Sequence, residues 1–313
     1  MARVAFIGLG NMGGGMAANL AKAGHDVRAF DLSQAALAKA EERGCLRAGS
    51  AAAAVAEAEA VVTMLPAGKH VREVYEASII GHAPTSAILM DCSTIDVATA
   101  REVIAAAEAK GYRMVDAPVS GGIAAAEGGT LTFMTGGSPE AFAAAEAYLA
   151  LMGKAVIHAG AAGAGQAAKI CNNMLLGATM IATCEAFVLA HKLGLDLQTF
   201  YDISSKASGQ SWSMTSYCPV PGVGPETPAD RNYDGGFAAA LMLKDLRLAM
   251  EAARGVDSYT PMGSHAEELY TRFAEGLGGA GKDFSGIIKM IDDSWKAPEG
   301  TEPPAPPLGY RRK

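Results

Sequence analysis

Three segments of this 313-residue chain hold residues whose types and spacing could do chemistry. In the first, an apolar run at residues 3–8 leads into Gly8-Leu9-Gly10-Asn11-Met12-Gly13, an amphipathic stretch follows at 16–23, and a second apolar run ends at Asp31. Gly8 permits a tight turn, Gly10 lets a pyrophosphate approach the backbone, Gly13 lets helix meet strand, and a helix N-terminus favours the anion. The motif G-x-G-x-x-G is weak alone. Here strand, glycines, helix, strand and terminal acid come in the required order, with Asp31 standing 18 residues past Gly13. A carboxylate at that place accepts hydrogen bonds from a free ribose 2′-hydroxyl and repels a 2′-phosphate, and neither Leu32 nor Ser33 supplies a cation. These residues predict a dinucleotide site that takes NAD in preference to NADP.

The second segment is Asp116-Ala117-Pro118-Val119-Ser120-Gly121-Gly122, after an apolar run and before a possible short helix. Backbone N–H groups left bare by Gly121 and Gly122, with the Ser120 hydroxyl as a further donor, suit a carboxylate. Serine and glycine also punctuate ordinary turns, and the pattern alone leaves that reading open. The third segment, Gly163-Ala164-Gly165-Gln166-Ala167-Ala168-Lys169-Ile170-Cys171-Asn172-Asn173, starts a long helix. Lys169 and Asn173, four apart, share one helical face. Most lysines are solvated surface residues. Around Lys169, though, the neighbours are small and apolar and the helix N-terminus repels a cation, which together disfavour the ammonium form and suit an amine that moves protons. Lys244-Asp245, on an apolar helix, reads equally as a solvated ion pair, and Trp212 and Tyr217 as loop packing or ligand contacts.

The elements that position these segments change character along the chain. Apolar runs at 3–8, 26–31, 60–65, 87–91, 113–116, 131–135 and 155–158 alternate with Ala-rich helical stretches, the pattern of a doubly wound, mostly parallel α/β sheet of Rossmann type. Beyond Gly163 the strand signal ends, and helical segments at 197–206, 237–254, 264–275 and 284–295 follow the long helix. The prediction is a nucleotide-binding domain at 1–162, an all-α domain at 163–296 entered by a helix over about 163–192, and a disordered tail at 297–313 with five prolines. A loop at 217–236 with four prolines is too long for a plain connector, which suggests function.

A net charge of −7 without basic runs argues against nucleic acid or anionic membrane as a partner. The apolar core of the long helix has 15 residues between Lys169 and Glu185, two of them Asn, and reads as a buried helix too short to span a bilayer. Five scattered cysteines without a C-x-x-C pair and six histidines without ligand spacing predict neither disulfides nor a metal site. The N-terminus already reads as a strand, so a cytoplasmic location is expected.

Taken together, GLGNMG at 8–13, MLP at 64–66, DCSTI at 91–95, DAPVSGG at 116–122 and GxGxxxKxxNN at 163–173 resemble the β-hydroxyacid dehydrogenase family, and the likeness runs over residues 1–296. The stretch from Ser211 through Tyr217, Pro219-Val220-Pro221-Gly222, residues 232–237 and Lys244-Asp245-Leu246 narrows it to one branch. The resemblance implies that Lys169 is catalytic, that Ser120, Gly121, Gly122 and Asn173 hold the substrate carboxylate side, and that Leu65, Pro66, Thr94 and Lys244 contact the dinucleotide. Trp212 and Tyr217 would line the substrate pocket. It further implies a small β-hydroxy acid as substrate, hydride transfer to NAD, and a homodimer or homotetramer associating through the helical half. Reduction of tartronate or succinate semialdehyde is the alternative, although relatives of that kind usually carry a basic residue after the second strand. A dinucleotide-binding module without catalysis is a third reading, opposed by intact Lys169 and Asn173. His70 stands where some relatives carry Asn and receives no role.

Overall fold

The computed structural model describes residues 1–294, and the chain separates into two compact units, the first ending at Lys169 and the second beginning at Ile170. The first unit contains strands β1 (Arg3–Ile7), β2 (Asp26–Phe30), β3 (Leu46–Arg47), β4 (Ala60–Thr63), β5 (Ile88–Asp91), β6 (Arg113–Asp116), β7 (Val119–Ser120), β8 (Leu131–Gly136) and β9 (Gly153–Gly160). Between them run helices α1 (Gly13–Lys22), α2 (Gln34–Glu42), α3 (Ala51–Val55), α4 (Gly68–Val74), α5 (Val97–Glu108), α6 (Gly122–Gly128) and α7 (Pro139–Leu149).

The strands form one sheet in the order β3-β2-β1-β4-β5-β6-β8-β7, with β9 paired to β8. Neighbours from β3 to β6 are parallel, and β8 runs antiparallel to β6 and β7. The order turns back on itself at β1, which lies between β2 and β4, and in such sheets that reversal opens a crevice at the strands' carboxyl ends. Residues 8–13, 64–66 and 92–95 all leave strands at that end.

Alternation within β1 shows why both faces are covered. Val4 and Phe6 join a core with Met16, Leu20, Val27 and Val62, while Ala5 and Ile7 join a second core with Val61, Tyr75, Leu89 and Ile104. Several helices start on a serine or aspartate side chain that accepts from the first-turn backbone: Ser33 for α2, Asp96 for α5, Ser138 for α7, each a device worth about 1 kcal/mol. The seven expected strands are all present, and the two-residue strands β3 and β7 are additional.

Helix α8 (Ala164–Lys192) starts in the first unit and continues into the second, which adds α9 (Leu197–Ser204), α10 (Trp212–Thr215), α11 (Ala239–Gly255), α12 (Pro261–Thr271) and α13 (Ile288–Ile291). Its core joins Met180, Cys184 and Phe187 of α8 to Leu243 and Leu246 of α11, Tyr270 of α12, and Phe284. Two expectations need correction here. Helix α8 has 29 residues and is long and apolar enough to cross a membrane by length and composition, and only 39% of its most apolar stretch is buried. Leu175, for instance, is 62% exposed. The segment expected as one helix over 284–295 begins instead as a 3₁₀ turn, Phe284–Ile287, followed by the single turn of α13, because Asp283 caps the tight turn through Ser285. Trp295 and the tail expected at 297–313 lie outside the described residues.

Candidate active site

At the carboxyl end of β1 the glycines divide their tasks. Gly8 has φ +96°, and a Cβ there would strike the Met64 carbonyl, just as one on Gly13 would strike the Gly8 carbonyl. No atom lies within 4 Å of where a side chain on Gly10 would begin, so a bound group can approach the backbone of the Leu9–Met12 turn there. Helix α1 then starts at Met12 without a side-chain cap and without an acid in its first turn, which leaves its positive end to an incoming anion. Asp31 sits just past β2. Its Oδ2 accepts from the Leu9 N–H at 2.6 Å and its Oδ1 from the Ser33 N–H at 2.7 Å, so the carboxylate is tied to the glycine loop while each oxygen keeps a lone pair. Leu32, beside it, is 89% exposed.

The other two loops at this end are coupled through Ser93. The Leu65 N–H donates to Ser93 Oγ at 2.8 Å, and that hydroxyl donates to Asp91 Oδ1 at 2.6 Å. Thr63 Oγ1 also donates to Asp91 Oδ1, at 2.7 Å. Burial pushes the Asp91 carboxyl up to about 6, and the hydrogen bonds from Ser93 and Thr63 oppose the shift. Thr94, the next residue, is half-buried. His70, in α4, has a buried Nδ1 without a hydrogen-bond partner.

The N-terminus of α8 is built differently. Asp116, at the end of β6, accepts from the Gly163 N–H and the Gln166 N–H, both at 2.8 Å, and so caps the helix from 47 and 50 residues away. Side chains on Gly136 or Gly165 would occupy the space of the Asp116 carboxylate, which explains both glycines. Burial holds the Asp116 carboxyl above its ordinary value, against the pull of those N–H donors. One turn further along α8, Lys169 is 6% exposed and its Nζ donates to Ser120 Oγ at 3.2 Å. Ser120 ends β7, and the strained turn after it is carried by Gly121 (φ +135°) and Gly122 (φ +72°). A hydroxyl that accepts from Lys169 retains its own O–H to donate. Lys169 is thus an enclosed amine and not a solvated surface residue.

In the second unit Asn173 is buried, its Nδ2 donating to Asp245 Oδ2 at 2.6 Å and its Oδ1 accepting from Asn172 at 3.0 Å. Asp245, on α11, is buried with Lys244 Nζ 4.0 Å from its Oδ1, so the expected pair is present but its acid is not solvated, and the carboxylate also accepts from an amide of another helix. Trp212 is 51% exposed and stacks on Tyr217 with ring centroids 4.8 Å apart. Tyr217 in turn donates to Asp283 at 2.9 Å, and the same oxygen of Asp283 accepts from the Phe237 N–H. Burial beside that carboxylate pushes the phenol well up.

The structure therefore brings Asp31 to the glycine loop, Leu65 to the loop of Thr94, and Lys169 to Ser120. It also sets Asn173 and Lys244 about one carboxylate and stacks Trp212 on Tyr217. Four roles escaped the sequence reading: Asp116 as a cap, Gln166 on the backbone of 93–95, Asp245 as the acceptor from Asn173, and Asp283 as the acceptor from Tyr217. Buried acids or amides on otherwise apolar helix faces were the available signal for Gln166 and Asp245. Among the described residues no group of three His, Cys, Asp or Glu side chains could hold a metal ion.

Comparison with known proteins places this geometry among relatives. Residues 3–160 match the family model described as the NAD binding domain of 6-phosphogluconate dehydrogenase, and residues 163–291 match that described as the NAD-binding region of NADP-dependent 3-hydroxyisobutyrate dehydrogenase. A probable 3-hydroxyisobutyrate dehydrogenase of Mycobacterium tuberculosis is 48% identical over 291 residues, covering 93% of this chain and 98% of that protein. An NAD-dependent L-serine dehydrogenase of Pseudomonas aeruginosa is 46% identical over 294 residues, with the same coverage. The solved structure of the Mycobacterium tuberculosis 3-hydroxyisobutyrate dehydrogenase with L-serine superposes with a TM-score of 0.90 at 47% identity, covering 93% of this chain and 99% of that one.

Proposed function

The chain belongs to the β-hydroxyacid dehydrogenases and is an NAD-dependent oxidoreductase, and from that premise we propose that it oxidises 3-hydroxyisobutyrate to methylmalonate semialdehyde, a step of valine breakdown. The observation that carries this reading is the enclosed Lys169 amine on Ser120 Oγ, at the start of α8. Residues 8–13, Asp31, Leu65, Pro66, Thr94 and Lys244 would hold the dinucleotide, and Asp31 beside an uncharged Leu32 favours NAD over NADP. When bound there, NAD would supply the hydride acceptor for oxidation at the alcohol carbon.

Lys169, as the neutral amine, accepts the proton of the substrate hydroxyl and returns it in the reverse direction. Ser120 keeps that amine in place with an oxygen lone pair and offers its own O–H to the substrate carboxylate, joined by the backbone at Gly121 and Gly122. Asn173, gripped through one N–H by Asp245, has a second N–H to give to the same carboxylate. Trp212 and Tyr217 set tolerance for the substituent on the α-carbon.

A second reading, oxidation of L-serine, is supported by the relative named for that activity and by the solved relative that holds L-serine. Serine shares the hydroxymethyl and carboxylate groups and replaces the methyl with an ammonium, so Ser120 and Lys169 would treat both alike. The two are separated by kcat/KM for the enantiomers of 3-hydroxyisobutyrate, L-serine, glycerate and 3-hydroxypropionate, each with NAD and NADP. The highest value is expected for 3-hydroxyisobutyrate with NAD, and a higher value for L-serine overturns the choice. A homodimer or homotetramer is proposed as the working assembly, in keeping with the exposed Leu175, Leu189 and Ile203 of the second unit, and light scattering of the purified chain checks it.

A further inference from the structure

Gln166 has no part in the roles proposed so far, yet it is fully buried and uses every polar atom it has. Its Nε2 donates to the Ser93 carbonyl at 2.7 Å, its Oε1 accepts from the Ile95 N–H at 3.1 Å, and its backbone N–H donates to Asp116 at 2.8 Å. The side-chain amide thus straddles Thr94, gripping the backbone on both sides of it. Ser93 is also the residue whose hydroxyl holds the Leu65 N–H. On the other side, Gln166 precedes Lys169 by one helical turn on the same face of α8. A continuous path of hydrogen bonds and one rigid helical turn therefore joins the loops that would contact the dinucleotide to the amine that would move the proton.

We propose that Gln166 is a positioning residue for the oxidation, fixing the loop 93–95 and Lys169 at one separation so that hydride and proton leave the same substrate in register. The inference rests on the reading of Lys169 and Thr94 given above. Alignment of this kind carries large rate factors, because a displacement of an ångström far from the chemistry can cost about 100-fold. Gln166 would act far more on turnover than on cofactor affinity, since of the proposed dinucleotide contacts it braces only the loop of Thr94 and, through Ser93, Leu65, while residues 8–13 and Asp31 do not depend on it.

Two variants test this on the full chain. Gln166→Met fills the same space without hydrogen bonds. Its kcat should fall about 10- to 100-fold, the NAD dissociation constant by fluorescence should stay within about threefold, and the isotope effect with carbinol-deuterated substrate should rise as hydride transfer becomes limiting. Gln166→Glu adds a signature that packing alone cannot produce. Its carboxylate cannot donate to the Ser93 carbonyl, whereas its protonated form both donates and accepts, so the ratio of its kcat to that of the unmodified enzyme should climb as pH falls from about 8 to about 6.

The proposal is overturned if folded Gln166→Met keeps kcat within about twofold, or if its NAD affinity drops by the same factor as kcat/KM, which would make Gln166 a brace of the cofactor loop only. It is equally overturned if the Gln166→Glu ratio does not change with pH. Lys169→Ala separates the two levels. If that variant is inactive while Gln166→Met is normal, this inference alone fails. If it turns over normally, the assignment of Lys169 fails as well.

Discussion

Two glycine-bearing helix starts in the first unit look alike on paper and are built to opposite ends. At α1 the loop residues 8–13 leave Gly10 open and the helix without a side-chain cap. At α8 the glycines make room for the protein's own carboxylate, Asp116, which fills the place an anion would take. The first helix end stays uncapped, as the proposed dinucleotide site requires for a ligand's negative charge. The second is closed by the chain itself, which frees the next turn to present Lys169 next to Ser120. A glycine-rich turn before a helix therefore says nothing about binding until the partner of its N–H groups is known.

The largest test of this contrast is Lys169→Ala. It should lower kcat by roughly 10²- to 10⁴-fold with NAD affinity by titration unchanged, and Lys169→Arg should not restore it, because a guanidinium stays protonated. Retained turnover would remove chemistry from the α8 end. Next in size, Asp116→Ala should cost roughly 3 kcal/mol in denaturant unfolding, since two buried N–H groups lose their acceptor. A loss under about 0.5 kcal/mol would mean that water replaces the cap without penalty.

A pH effect follows from Asp91, whose carboxyl is pushed up to about 6 by burial. The folded state then binds a proton more readily than the unfolded chain, so this contribution to stability is complete below the ordinary carboxylate range and is lost as pH rises through about 6. Asp91→Asn should flatten that part of the stability profile, an effect on the order of 2 kcal/mol, and melting curves at intervals from about pH 4 to about pH 7 would detect it. An unchanged slope would assign the pH dependence elsewhere. The smallest expected effect sharpens the α1 side: Gly10→Val should raise the NAD dissociation constant about tenfold or more with an unaltered melting temperature, whereas Gly13→Val, driven into the Gly8 carbonyl, should unfold the loop. Equal melting losses for both would contradict the open space at Gly10.

Legibility in the sequence followed the distance between partners along the chain. The run from β1 through α1 to Asp31 is a local pattern of about 30 residues, and strands of four residues or more announced themselves as apolar runs. The two-residue strands β3 and β7 are too short to carry a period. The long helix was legible, although its apolar core understated its length. The unread residues all act across long separations: Asp116 to α8 over 47 and 50 residues, Gln166 to the loop after β5 over 71 and 73, Asn173 to Asp245 over 72. Such pairings exist only once the chain has folded, so no spacing rule could reveal them. Lys169 was legible because helix, glycines and lysine are contiguous, and its partner Ser120 was legible only as half of a separate pattern.

The bond between Asp31 and the Leu9 N–H has a consequence for how such a protein could change its cofactor over generations. On the proposed reading, the carboxylate that would discriminate against a phosphate at the ribose also tethers the loop that would receive the pyrophosphate. Replacing it first would slacken the loop for every dinucleotide, and an intermediate weak with both would be exposed to selection. Leu32, almost wholly in solvent, can become arginine without disturbing that tether. The accessible route therefore begins at Leu32 and reaches Asp31 second, and the order of the two steps, more than either one alone, governs whether descendants can cross from one cofactor pool to the other.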